Sequence, residues 1–238
     1  DPARRDEHGS RTYAIEDCTP NVLELRDLLL AKSQYTLVKL SPMLDWRKAV
    51  ADFDGTVREV HIVATGNECK ELLLVLGQQV HEEPSAPRVF CVNDNQRIDY
   101  DSAAYTQGLR IGGKPLPEAK NYLYEPNASI MKAGCFDLVE ERFGVTQVGP
   151  SSHLFVSATP VADFPGRGFA IEAIGGMNKK DIKRLLNGTK QANIAVRNFP
   201  LTAPQLRKKL KLADGGPVYL FGTTMQGCDH VLLRTSKI

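Results

Sequence analysis

Two groups of cations at helical spacing carry the plainest chemistry in this sequence. Lys179, Lys180, Lys183 and Arg184 surround Ile182, Leu185 and Leu186, and Arg207, Lys208, Lys209 and Lys211 surround Leu206 and Leu210. Apolar residues recurring three or four positions apart bury one stripe of a helix and leave the ammonium and guanidinium groups in water. A solvated charged face explains either helix alone. Two such faces with few acidic neighbours suit a polyanion, because cations that neutralise phosphates release condensed counterions. Arg197, next to Asn198, adds a guanidinium fork that holds a phosphate bidentately or pairs with a carboxylate. Lys39 is a charge inside the apolar run Tyr35–Leu40, where it contacts a substrate phosphate or carboxylate, or forms a structural ion pair.

The other reactive side chains lack the spacing that catalysis or metal binding needs. Cys18, Cys69, Cys91, Cys135 and Cys228 are odd in number, scattered, and form no Cys-x-x-Cys pair. Reduced thiols are expected, not a disulfide framework or a zinc ribbon. Cys69 lies beside Glu68 and Lys70; the neighbouring ammonium can lower a thiol pKa, whereas a strand cysteine facing a core stays inert. His8, His61, His81, His153 and His230 show no metal-ligand spacing, and no metal site is expected. Gly112-Gly113-Lys114 and Gly175-Gly176 lack the Lys-Ser/Thr frame of a phosphate loop and read as turns.

The chain has 238 residues, 42% apolar and 24% charged, enough to bury one sizeable core or two to three small ones. Its net charge of +2 conceals an asymmetry. Residues 151–238 carry 13 Lys+Arg against 5 Asp+Glu, and residues 1–150 carry 17 against 23. The basic part is therefore C-terminal, where a nucleic-acid partner is expected. The longest apolar run, Leu72 to Gly77, is far short of the roughly 20 residues of a membrane helix. A cytoplasmic location is the resulting expectation.

Elements that position these residues follow from periodicity and turn chemistry. Pro20 to Lys32 reads as a helix capped by Thr19, Tyr35 to Leu40 as a strand, and Asp45 to Phe53 as a second helix. Val57 to Ala64 and Cys69 to Leu76 form an antiparallel hairpin across Thr65-Gly66-Asn67-Glu68. His81 to Pro87 is polar with two prolines and reads as a linker, and Arg88 to Val92 as a strand. Pro126 to Phe143 reads as one helix closed by Gly144. Strands are expected at about 153–158, 168–174, 193–197, 217–223 and 229–235, with helices at 178–187 and 202–212. That alternation makes an α+β layer domain.

The chain opens Asp1-Pro2-Ala3-Arg4-Arg5, and the order helix, strand, helix, hairpin follows it. Together these resemble the second half of the class I S-adenosylmethionine-dependent methyltransferase fold over about residues 1–77. The seven-stranded sheet of that family ends in an antiparallel pair. The opening motif then follows its fourth strand, Tyr35–Leu40 is its fifth, and the hairpin supplies the sixth and seventh. The resemblance implies that the cofactor-binding half precedes Asp1 and that this chain is the C-terminal portion. It also implies that Asp1 and the backbone around Pro2 accept hydrogen bonds from a target amine. Arg4 stands where an aromatic is usual, and its guanidinium plane can stack on a base or pair with phosphate. Methylation at carbon 5 of uridine needs a cysteine after strand five to form a covalent adduct. Lys39-Leu40-Ser41-Pro42 there contains none, so that mechanism is not expected.

Tyr122-Leu123-Tyr124-Glu125-Pro126, Ala133-Gly134, Arg197-Asn198-Phe199-Pro200 and the run Leu206 to Leu212 resemble, in order, a THUMP-like domain. That domain is found C-terminal to class I methyltransferase domains in a bacterial family, and the resemblance covers about residues 121–238. It implies RNA as partner, tRNA and rRNA being indistinguishable, and S-adenosylmethionine as cofactor of the full-length protein, with none held by this chain alone. The expected fold class is α/β and α+β: a truncated class I methyltransferase (Rossmann-like) sheet over 1–80, a small linker module over 81–120 for which a ferredoxin-like fold is one form, and the THUMP-like domain over 121–238. Asp1, Pro2 and Arg4 are the catalytic candidates; Lys39, Arg197 and the cations of the two basic helices are the substrate-binding ones. The alternatives are a non-catalytic module that binds RNA or a protein, and a degenerate methyltransferase fold kept as scaffold.

Overall fold

The structure, a computed structural model, describes residues 15–16, 19–78, 86–104, 116–118, 120–227 and 229–238. These fall into two compact units. One comprises the described residues of 1–108 with Asn127–Cys135; the other comprises those of 109–126 with 136–238.

In the first unit, α1 (Val22–Lys32) begins at Asn21, whose side chain accepts the amide of Leu23. Asn21, not the expected Thr19, is thus the cap, and Pro20 lies before the helix. After it come β1 (Tyr35–Leu40), α2 (Trp46–Asp52, capped by Asp45), β2 (Val57–Thr65), β3 (Glu68–Gly77), β4 (Arg88–Asn93) and β5 (Gln96–Asp101). The five strands make one sheet in the order β1-β3-β2-β4-β5, with β2 and β4 parallel and the other neighbours antiparallel. The hairpin forms over Gly66-Asn67, and β5, whose polar alternation carries no clear strand signal, pairs with β4. Alternation gives the sheet one buried face of Val60, Ile62, Leu72, Leu74, Val89 and Cys91. On it packs α3 (Ala128–Ala133).

The second unit holds β6 (Tyr122–Pro126), α4 (Phe136–Phe143), β7 (Thr146–Gln147), β8 (Phe155–Ser157), β9 (Gly166–Gly175), α5 (Lys179–Leu186), β10 (Asn193–Arg197), α6 (Ala203–Leu210), β11 (Val218–Thr224) and β12 (His230–Lys237). Its seven-stranded sheet runs β10-β11-β12-β9-β6-β8-β7, and only β10 and β11 are parallel. The single helix expected over 126–143 is two. Pro126 ends β6, Asn127 caps α3, and Gly134 takes the left-handed φ of 68° while its amide donates to the Ile130 carbonyl. A continuous apolar stripe concealed that break, because the left-handed turn redirects the backbone without changing the hydrophobic pattern.

The two faces of this sheet are buried separately. Phe169, Phe221 and Leu233 on one face join Leu123, Val148, Leu154 and Val156. On the other, Leu220 and Leu232 meet Leu185 of α5 and Leu206 and Leu210 of α6.

Candidate nucleic-acid interface

The basic helices are built by strong local signals. Asn178 caps α5 by accepting the amide of Asp181. Asp181 in turn accepts from the Gly176 amide, from Asn178 and from Arg184; these donors hold its carboxyl below the usual range. Thr202 and Gln205 form a reciprocal capping box that starts α6. Because Leu185, Leu206 and Leu210 bury against one cluster, both helices cover the same face of the sheet. Their outer surfaces present Lys179, Lys180, Lys183, Lys208, Lys209 and Lys211, all exposed. Lys190, outside the helical spacing of either basic group, is exposed in the same region of the chain.

Two of the expected cations are partly engaged by protein groups. Arg184 donates to the Ile174 carbonyl at 2.7 Å and pairs with Asp181 at 3.2 Å. Arg207 donates to the carbonyls of Ala192 and Ala213 and pairs with Asp214 at 2.5 Å. These two guanidinium groups tie helices to adjoining backbone. Arg234, 17% exposed, does the same by donating to the carbonyls of Leu185 and Leu186 at the end of α5.

Arg197 pairs with a carboxylate: its Nη2 donates to Oε1 of Glu125 at 2.7 Å. The other oxygen of Glu125 receives Nε of Arg167 at 3.0 Å together with Nη2 of that residue. The Glu125 side chain is 4% exposed, and those of Arg167 and Arg197 are 43% and 38% exposed. His153 lies near enough to Arg197 to feel its charge. Burial, with that guanidinium as a second cause, lowers its pKa, and its ring stacks on Phe136 at 4.5 Å.

The first unit offers less. Lys39 lies 3.8 Å from Glu71 in an ion pair. Cys69 donates its S–H to the Ala128 carbonyl, and burial raises its pKa, with Lys132 opposing. It is therefore a protonated thiol at neutral pH, and Lys70 pairs with Glu68 instead. Cys91 is held protonated by its hydrogen bond with Cys135 and by burial. A trough of about 950 Å³ is bordered by Tyr35, Arg58, Glu59, Val75 and Arg88. Both arginines there are engaged, Arg58 with the carbonyls of Gly55 and Gln78, Arg88 with Asp99. Asp1, Pro2 and Arg4 lie outside the described residues. Among the described residues no group of three or more His, Cys, Asp or Glu side chains is placed to hold a metal ion, and no helix is long and apolar enough to cross a membrane.

Comparison with known proteins bears on the second unit first. Residues 166–237 match the family described as THUMP domain-like. Residues 122–165 match a ferredoxin-like domain family. The basic helices α5 and α6 and the strands β9 to β12 thus fall within the THUMP-like match, and β6 to β8 within the ferredoxin-like one. Over 99% of its length the chain is similar to a solved structure described as "Crystal structure of putative methyltransferase from Porphyromonas gingivalis W83", with 34% identity and a TM-score of 0.86. The chain spans 58% of the length of that protein. No curated protein matches the chain.

Proposed function

We propose that this chain is the C-terminal part of an S-adenosylmethionine-dependent methyltransferase acting on RNA, with its THUMP-like domain positioning the substrate. The observation that carries the reading is the pair of capped helices, α5 and α6. They bury one apolar cluster together and leave six lysines exposed within a THUMP-like match. Exposed lysines act as point charges on a phosphate backbone and need no sequence-specific geometry. In this reading the described residues up to Gly77 supply the C-terminal half of the methyltransferase fold, β4 and β5 extend its sheet, and the second unit is the substrate-holding domain.

The first sheet supports the methyltransferase part. β1 stands at one edge, with the antiparallel hairpin β2–β3 beside it. Tyr35 and Leu37 on β1, Leu28 on α1 and the nearby Met43 are all more than half exposed. Among the described residues β1 pairs only with β3, and an apolar strand edge of this kind suits the addition of a further strand. Asp1, Pro2 and Arg4 remain the proposed lining of the methyl-acceptor pocket.

The described residues do not fit the cofactor. A nucleoside cofactor on an α/β sheet needs a Gly-rich strand-to-helix turn and an acidic side chain for the ribose hydroxyls. The Gly175-Gly176 turn between β9 and α5 has its Gly176 amide already taken by Asp181, and the guanidinium groups bordering the trough are engaged by protein.

A salt series tests the RNA part. Affinity for a structured RNA is expected to fall steeply as potassium chloride rises, because phosphate contacts release counterions. An affinity indifferent to salt defeats the assignment of the lysine face.

A further inference from the structure

We infer that Arg167 and Arg197, clamped by Glu125, form a phosphate-binding site for the RNA backbone beside the stacked ring of His153. This deepens the RNA reading above and rests on it. It places a second, more constrained contact apart from the exposed lysine side chains of α5 and α6.

Strand alternation puts the three charges on one face. Glu125 follows Leu123 by two residues, Arg167 precedes Phe169 by two, and Arg197 follows Ala195 by two. Leu123 and Phe169 belong to the apolar cluster of that face, and Ala195 packs against it. Glu125 and Arg167 are direct partners across β6 and β9. A carboxylate this buried is retained only where cations and hydrogen bonds compensate it, and two guanidinium groups do so here.

One carboxylate facing two guanidinium groups leaves a net positive charge. It also leaves donors over. Glu125 occupies Nε and Nη2 of Arg167 and one donor of Arg197 Nη2, and the Val196 carbonyl takes Nη1 of Arg197. The Nη1 group of Arg167 has no partner among the described residues, and Nε of Arg197 is buried with none. Directly opposite Arg197 in the ladder stands Thr223, 0% exposed, whose hydroxyl is also without a partner. Both of these atoms are closed to solvent, so an incoming anion is met instead by Nη1 of Arg167 and by the outward N–H groups of Arg197, on side chains 43% and 38% exposed. A phosphate is the acceptor that fits: its several oxygens accept from both guanidinium groups at once, and planar forks match it bidentately.

The surroundings favour a nucleic acid over an acidic peptide. His153 has a left-handed backbone, φ 53°, that sets its ring over Phe136, and it stays neutral at pH 7. A neutral aromatic face beside a phosphate clamp offers a base something to stack on. Asn198, exposed and also at positive φ, directly follows Arg197; its side-chain amide donates to the Pro150 carbonyl and its own carbonyl accepts from the Thr224 hydroxyl.

The test uses the whole chain and a 5′-fluorescein-labelled 20-nucleotide oligouridine RNA, followed by fluorescence anisotropy across a potassium chloride series. Arg167→Gln and Arg197→Gln are each expected to weaken binding about fivefold or more and to reduce the salt slope by about 0.7. Lys208→Gln on α6 is the comparator. If both arginine variants keep wild-type affinity and slope while Lys208→Gln loses both, the cluster is a structural ion pair and this inference fails, with the RNA reading intact. If the wild-type chain shows no salt-dependent binding, the RNA reading itself falls and takes the inference with it. Should Arg197→Gln fail to fold, the wild type labelled with ¹⁵N-arginine still decides the matter. RNA is expected to shift the Nε–Hε resonances of Arg167 and Arg197, and unshifted resonances overturn the site.

Discussion

At the scale of the residue, His153 shows how a neighbouring charge and burial act in the same direction. Both disfavour imidazolium, so the folded chain holds this histidine at a pKa below the ordinary 6.5 while the unfolded chain does not. The unfolded state therefore takes up the proton first as pH falls. The stabilisation is present above about pH 6.5 and is lost as pH descends through the folded value. His153→Asn keeps a residue tolerant of positive φ and removes the titration. Thermal melts between pH 5.0 and 7.5 are expected to give a shallower pH dependence for this variant than for the wild type; equal slopes refute the assignment. Arg197 was legible as an anion-binding fork from its sequence neighbours. Its carboxylate was not: Glu125 is 72 positions away and Arg167 is 42 from Glu125, and pairing at such distances is created by strand register. Cys69 illustrates the reverse. A neighbouring lysine suggested an activated thiol, but the strand directs Lys70 to Glu68 and the sulfur to the Ala128 carbonyl.

At the scale of the element, helices with strong caps and strands with clean alternation were read nearly to the residue. β1 and β10 match their expected limits, and α5 and α6 fall inside theirs. Failures cluster where local signals are weak or conflict. β5, Gln96–Asp101, is polar at alternate positions and short, and only pairing with β4 makes it a strand. The loop after β7 is another case, since it is shaped by close approach. Gly149 faces the Thr224 carbonyl so closely that a Cβ would overlap the oxygen, while Gln226 donates to the Val148 carbonyl at 2.9 Å. Gly149→Ala must push the β11–β12 turn away. A loss of about 1–3 kcal/mol is expected in urea denaturation, the range for overpacking a close contact. A loss below about 0.5 kcal/mol would mean that the loop relaxes freely.

At the scale of the whole molecule, the charge is divided along the chain, and the basic share coincides with the THUMP-like match. The proposed division of labour assigns substrate holding to this share and leaves cofactor binding to a part of the protein that the described residues do not supply. Isothermal calorimetry is therefore expected to detect no binding of S-adenosylmethionine to this chain at micromolar concentrations. A measurable heat with micromolar affinity reverses that assignment and moves the cofactor site into the present chain.

By itself the sequence determined the period and capping of the basic helices, the hairpin after α2, the absence of disulfide or metal spacing, and the excess of cations toward the C-terminus. These are properties of neighbours within a few residues, or sums over a segment, and both are written directly in residue order. Only the tertiary structure decided which cations keep donors for a ligand. It engaged Arg184 and Arg207 in backbone contacts, left the lysines of α5 and α6 exposed, and brought Glu125 between Arg167 and Arg197. The reason is that availability depends on what lies across the sheet or over the helix, and register, not spacing, sets those partners.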